Sequence, residues 1–324
     1  MRWVVLFGLI VVAVLFFAHR LIAARPIDAT ISFGSVPHPA ASRSGCTRCH
    51  ELAVSFGEVQ YPTAPFQAQL AGLHVGIAHM TSPAPGFRMH HALAEKLAAA
   101  LNATPELLQP DSYRAISTLL RQGKIDVAFV CSGTYAAAPD AMDILAAPLI
   151  DGKMEYCALV IVPANSPCRT FADLRGKSFL YVEEESNTGR WYPCRRAREL
   201  AGDGGSFFGS TRLTGAHDLS VLAVASNLAD GAAISSTVYN QMLAREPALK
   251  DRIRILERSA PFPSPPVVVR KSMPLDVRQR LLQVLVTLQD TEDGRGILRG
   301  LSVDKFVAAR NEQYAHIEPC VHDR

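Results

Sequence analysis

The residues best equipped for chemistry of their own stand together near the N-terminus, where Gly45-Cys46-Thr47-Arg48-Cys49-His50 reads C-x-x-C-H. At that spacing two thiols can each form a thioether to a haem vinyl group while the histidine supplies an axial nitrogen, the attachment signature of haem c. With seven cysteines and ten histidines in 324 residues, chance yields such a pattern only about 0.005 times per chain. The motif therefore points to haem c held by Cys46 and Cys49, with His50 as the metal ligand. A disulfide between Cys46 and Cys49, or an incidental pair of thiols, is the plainer reading. The distal position is open, since Met80, Met89, His38, His74, His79, His90 and His91 all qualify. The surrounding stretch, 25–72, is too short for a complete cytochrome c domain.

Five cysteines remain, Cys131, Cys157, Cys168, Cys194 and Cys320. An odd number leaves at least one thiol without an internal partner, and spacing alone does not say which pairs form. Enzymatic signatures are missing: there is no G-x-S-x-G and no H-E-x-x-H. Glu183-Glu184-Glu185 reads as a solvated or capping run, so no enzyme is expected.

Across the chain, 33 basic and 30 acidic residues leave a net charge of +3. That near balance disfavours a nucleic-acid partner, whose binder would carry a clear excess of clustered basic groups. At the N-terminus, Met1 and Arg2 precede an unbroken apolar run over 3–18, then His19-Arg20 and a shorter apolar run to Ala24. With Arg20 snorkelling, 1–24 is long enough to span a bilayer as an uncleaved anchor in the cytoplasmic membrane. A cleaved secretory signal ending near Ile22-Ala23-Ala24 is the competing reading. Either way the remainder is exported, to the periplasmic side. Residues 25–72, rich in Pro, Gly and Ser, read as a linker.

From 73 onward, strand-like and helix-like stretches alternate. Strands are predicted over 73–78, 125–130, 159–163, 178–182, 231–234 and 266–270, and helices over 90–101, 115–122, 192–200, 219–228 and 276–289. Gly123 is placed to end the second helix. Such alternation predicts an α/β fold with parallel sheets and right-handed crossovers, with ligands at the carboxyl ends of strands.

Three segments carry a more specific signal. They are Asp126-Val127-Ala128-Phe129-Val130-Cys131-Ser132-Gly133-Thr134-Tyr135; 171–179 followed by Glu185-Ser186-Asn187-Thr188-Gly189 and Pro193; and His217-Asp218-Leu219-Ser220-Val221 through Asp230-Gly231-Ala232-Ala233 to Ser235-Ser236-Thr237-Val238-Tyr239. In order and spacing they resemble the periplasmic solute-binding proteins of phosphate, phosphite and phosphonate importers, over about 73–318. The resemblance implies a two-lobed type II periplasmic-binding-protein fold closing on its ligand like a hinge. Lobe one would be 73–158 plus 262–324, and lobe two 159–261.

It also implies a small oxyanion ligand: phosphonate, phosphate, phosphite or an arsenite-like species. Delivery would be to an ABC permease, or presentation to a membrane histidine kinase. Ser186, Asn187, Thr188 and Gly189 lie on a loop feeding a helix N-terminus, where amides and hydroxyls donate to oxygens. Cys131, Ser132, Gly133 and Tyr135 would face them, with His217 donating a ring N–H and Tyr239 a phenol; Thr81 and Ser82 form a weaker pair. Each has a plainer reading, as helix caps for the loops, core packing for Tyr239 and a small buried hydrophobe for Cys131. A sharper role for Cys131 is a thiol ligand to trivalent arsenic. The second functional reading is a tethered monohaem c-type cytochrome passing electrons to a partner, alone or coupled to ligand sensing.

Overall fold

In the computed structural model, residues 72–81, 87–201 and 206–320 are described. The expected membrane segment at 1–24 lies outside them, as do Cys46, Cys49, His50, His38, Ser82 and the side chain of Met89. No helix among the described residues is long and apolar enough to cross a membrane.

The first part of the chain runs β1 (Gly72–Ile77), α1 (Phe87–Ala99), β2 (Thr104–Leu108), α2 (Tyr113–Arg121), β3 (Val127–Phe129), α3 (Ser132–Ala137), β4 (Met142–Leu149) and β5 (Glu155–Tyr156). A second part follows with β6 (Ala158–Pro163), β7 (Ser178–Tyr181), α4 (Tyr192–Ala201), β8 (Ser210–Leu213), α5 (His217–Ala225), β9 (Gly231–Ser235), α6 (Ser236–Arg245) and β10 (Ile253–Arg258). The chain then returns through β11 (Phe262–Pro263), β12 (Val267–Arg270), α7 (Leu275–Val286), α8 (Glu292–Leu301) and β13 (Lys305–Ala308). Two sheets result, β13-β4-β12-β3-β1-β2 and β10-β6-β9-β7-β8, one at the heart of each lobe.

Alternation along the strands builds a core on both faces of each sheet. In the first lobe Val127 and Val269 are cross-strand partners on one face, packed with Leu93 and Leu97 of α1 and Leu281 and Leu285 of α7. Their neighbours Ala128 and Val268 pair on the opposite face, against Ile116 and Leu120 of α2. In the second lobe Leu159 and Ile161 face Val221 and Val224 of α5, whereas Val160 and Val162 face Phe171 and Phe179. Local signals set the helix ends. Ser112 Oγ accepts from the Ala115 amide at 3.2 Å to start α2, and Gly123, at φ 69°, lies just past its end.

The sheets are mixed, which corrects the expectation of parallel ones. β1 pairs in parallel with β2 and β3, and β7 with β8 and β9, while β12, β13, β6 and β10 enter antiparallel. The physical reason is topological. A parallel neighbour needs a crossover helix to carry the chain back, whereas β6 and β12 arrive directly from the other lobe. The connections that carry the chain across include β5 and β11, which pair antiparallel through Tyr156 with Phe262 and Glu155 with Pro263. This short ribbon is the hinge between the lobes.

Candidate functional site

Strands of both sheets point their carboxyl ends at the space between the lobes, and helix N-termini follow them there. From the first lobe, β3 leads through buried Val130 and Cys131 into α3, so that Ser132 opens that helix. From the second lobe, β7 leads to Ser186, which caps a π-helical turn, Asn187–Trp191, continuous with α4. Nearby, Ala216 precedes α5, whose first residue is His217, and β9 ends at Ser235 directly before α6.

These elements touch. Asn187 Nδ2 donates to Ser132 Oγ across the lobes at 3.3 Å, and Ser132 Oγ lies 2.7 Å from Tyr156 Oη on the hinge ribbon. The His217 amide donates to the Met80 carbonyl of the first lobe at 3.0 Å, and Arg114 Nε to Glu185 Oε1 at 3.1 Å. The lobes are therefore closed on each other. Closure is tightest at Gly133: a Cβ there would lie 2.2 Å from the Glu185 carbonyl oxygen and 2.7 Å from the Asn187 nitrogen. Only glycine lets α3 meet the Ser186 loop at this distance.

Inside the contact, several polar groups are enclosed without a hydrogen-bond partner in the chain. Thr134, Asn187, Thr188, His217 and Ser235 are all fully buried, and Thr134 Oγ1, Thr188 Oγ1, His217 Nε2, Ser235 Oγ and Asn187 Oδ1 are unpaired. The ring of His217 is fixed: its Nδ1 accepts from the Ser235 amide at 3.0 Å, which places the proton on Nε2. Burial pushes its pKa down to about 3, so the imidazole is a neutral donor at physiological pH. Three hydroxyls and one imidazole N–H thus form a donor set free of lysine and arginine. Leaving such groups buried and unpaired costs about 1–3 kcal/mol each, and a ligand rich in acceptor oxygens would offset that cost.

A family profile described as ABC transporter, phosphonate, periplasmic substrate-binding protein matches residues 75–314. The chain belongs to this phosphonate-binding family. Solved structures agree on the fold. A binding protein component of an ABC phosphonate transporter from Pseudomonas aeruginosa aligns at TM-score 0.69 and 19% identity, covering 75% of this chain and 82% of its own. PhnD1 from Prochlorococcus marinus, solved with methylphosphonate, aligns at TM-score 0.69 and 17% identity, covering 76% and 96%. A Xanthomonas citri protein solved with chloride ion aligns at TM-score 0.66 and 19% identity, covering 76% and 95%. The family is one of periplasmic solute-binding proteins, not of enzymes; it places the chain in the periplasm, with a small ligand and a permease as partners.

Within this phosphonate-binding architecture the residues singled out by motif separate into four groups. Asn187, Thr188 and His217 reach the buried donor set, with Ser132 and Gly133 at its edge. Ser186 and Gly189 spend their polar groups on each other, Ser186 Oγ capping the Gly189 amide at 3.0 Å, and a Cβ on Gly189 would meet Val182 Cγ2 at 2.5 Å. Their place is to shape the turn. Tyr135 and Tyr239 go elsewhere: Tyr135 packs edge-on to Tyr314 in the first lobe's core, and Tyr239 joins Leu159, Ile161 and Leu249 in the second. Cys131 is fully buried, and burial pushes its thiol pKa up. Its Sγ lies 3.9 Å from Tyr156 Oη, and the amides of Asn187, Gly133 and Thr134 act on the sulfur in the opposite sense to burial.

Tyr156 escaped the motif reading, and Thr134 and Ser235 stood in recognised segments without being named as ligand contacts. Tyr156 had no signal, being the second residue of a two-residue strand in a connection; Ser235 stood in a recognised segment, at the strand's carboxyl end where ligands bind. Beside the cluster an apolar groove of about 170 Å³ runs between the lobes, lined by Met80, Thr81, Val130, Thr237 and Gln241 among others. It contains none of the unpaired donors. Among the described residues no group of three or more His, Cys, Asp or Glu is arranged to hold a metal ion. Two of the distal-ligand candidates are engaged: His74 Nδ1 lies 3.0 Å from Asp126 Oδ2, and His90 stacks edge-on to Phe129.

Proposed function

We propose that this protein captures a tetrahedral oxyanion of the phosphonate, phosphate or phosphite type between its closed lobes and delivers it to an ABC permease. The observation that carries this reading is the buried set of Thr134, Thr188, His217 and Ser235 donors at the helix N-termini. Amides and hydroxyls at such termini stabilise negative charge without a cationic side chain. The apolar groove touching Met80 and Val130 suits a short alkyl substituent, which favours an organic phosphonate over bare phosphate.

Thermal unfolding of the full chain with phosphate, phosphite, methylphosphonate and arsenite tests this. A ligand at one hundred times its Kd should stabilise by about 2.7 kcal/mol, a rise of several degrees for a protein of this size. No rise with any phosphorus oxyanion would sink the reading. A rise with arsenite alone, lost in Cys131→Ser, would replace it with a thiol-bound arsenic species and a sensing role toward a histidine kinase.

The Cys46-x-x-Cys49-His50 motif supports a second element, haem c on the stretch preceding the lobes. Protein made in a cytochrome-c-maturing periplasm is expected to give a pyridine haemochrome spectrum that disappears in Cys46→Ala. Its absence from the parent protein would remove both the haem and the electron-transfer reading.

A further inference from the structure

The C-terminal tail belongs structurally to the first lobe for most of its length. Asn311 Oδ1 accepts from the Ile144 amide at 2.9 Å, and Tyr314 Oη donates to the Ser264 carbonyl at 2.7 Å. Beyond Ile317 the tail passes onto the second lobe. Arg195 of α4 donates through Nη1 to the Glu318 carbonyl at 2.8 Å, and Cys320 packs in one buried cluster with Trp191 and Cys194. Cys194 and Cys320 are within hydrogen-bond contact, thiol to thiol, and only 2% and 4% exposed. Other described thiols are turned to different partners, Cys131 to Tyr156 and Cys168 to the Asp173 carbonyl.

We propose that Cys194 and Cys320 form a disulfide that fastens the C-terminal tail of the first lobe to helix α4 of the second. Two enclosed thiols in contact, on elements from different lobes and in a family exported to an oxidising compartment, have the placement a disulfide needs. The surroundings favour the chemistry. Cys320 is drawn down to about 7, first by the hydrogen bond from Cys194 and then by Arg198, Arg195 and Arg190. In the exchange, the Cys320 thiolate attacks a disulfide-bearing oxidant; the oxidant's S–S bond breaks and one of its sulfurs leaves as a thiolate. Cys194, losing its proton, then attacks the Cys320 sulfur of the mixed disulfide and displaces the second oxidant sulfur. Two protein thiols are oxidised, one oxidant disulfide is reduced, and the two protons pass to the departing thiolates. The exchange precedes seating of the tail, because both sulfurs are enclosed afterwards. Once made, the bond limits how far the lobes separate.

The test uses the full chain exported to an oxidising periplasm, alkylated while denatured without reductant, then digested. A cross-linked pair of peptides carrying Cys194 and Cys320, about 2 Da lighter than their sum, is expected. Recovery of both cysteines alkylated, or of either joined to another cysteine, overturns the proposal. As an independent reading, dithiothreitol should lower the melting temperature by about 5 °C or more in the parent, and not in the Cys194→Ser/Cys320→Ser variant. Equal shifts in both proteins would also overturn it.

Discussion

Replacing Gly133 with alanine is expected to reduce oxyanion affinity at least a hundredfold while leaving the unliganded protein as stable as the parent. The added methyl would stand 2.2 Å from the Glu185 carbonyl oxygen and 2.7 Å from the Asn187 nitrogen, both backbone atoms that no side-chain rotation can move. The clash exists only when α3 meets the Ser186 loop, so the variant resists closure and not folding. In helix α3 itself, alanine is a better residue than glycine. Closure brings Ser132 of one lobe against Asn187 of the other and encloses donors of both, so a protein held ajar would lose most of its ligand contacts at once. Titration calorimetry with methylphosphonate, beside thermal unfolding without ligand, separates the outcomes. Unchanged affinity would mean that the ligand does not sit between closed lobes; a large fall in unliganded stability would mean that Gly133 serves folding.

His217→Gln should have two effects. Loss of the buried Nε2–H donor to a charged ligand corresponds to about 1.5–3 kcal/mol, or roughly 10- to 150-fold in Kd. The second effect is on acid stability. Above about pH 6.5 the imidazole is neutral both folded and unfolded, and stability does not respond to it. Below that, the unfolded chain takes up a proton that the folded protein refuses until about pH 3. Stability therefore falls as the pH drops through this window, by about 2 kcal/mol at pH 5 from this residue alone. The glutamine variant lacks that loss, and its denaturation midpoint should decline less between pH 7 and 4. Parallel pH profiles for the two proteins would show that His217 is not held neutral in the folded state.

What was legible before the structure follows the physics of burial. Strands inside the sheets, such as those over 159–163 and 231–234, are buried on both faces and read as continuous apolar runs. Of those that went unread, β2, β8, β10 and β13 lie at sheet edges. β2 contains Pro105 and β8 is exposed at all four residues, so neither needs an apolar pattern. β4 is interior but interrupted by Pro148, which obscured it. At the site, loops before helices were readable because turn chemistry is local. The direction of each side chain was not. On α3 the neighbours Thr134 and Tyr135 point about 100° apart; Tyr135 packs on Tyr314, and Thr134 Oγ1 is left buried and unpaired. Residue type alone favours the tyrosine as a ligand contact, but the fold gives that side chain to the core.

The ribbon of β5 and β11 has a mechanical consequence. In a rotation about a pivot, each atom moves in proportion to its distance from the axis. Tyr156 sits on the pivot itself and also touches Ser132, so this pair is nearly stationary through the stroke. Ser235 pairs with Ala158, two residues past Tyr156, and so would also stay near the pivot, while Thr188 would travel with the second lobe. The site is thus a vice with one fixed jaw and one moving jaw, and its grip is calibrated from the fixed side.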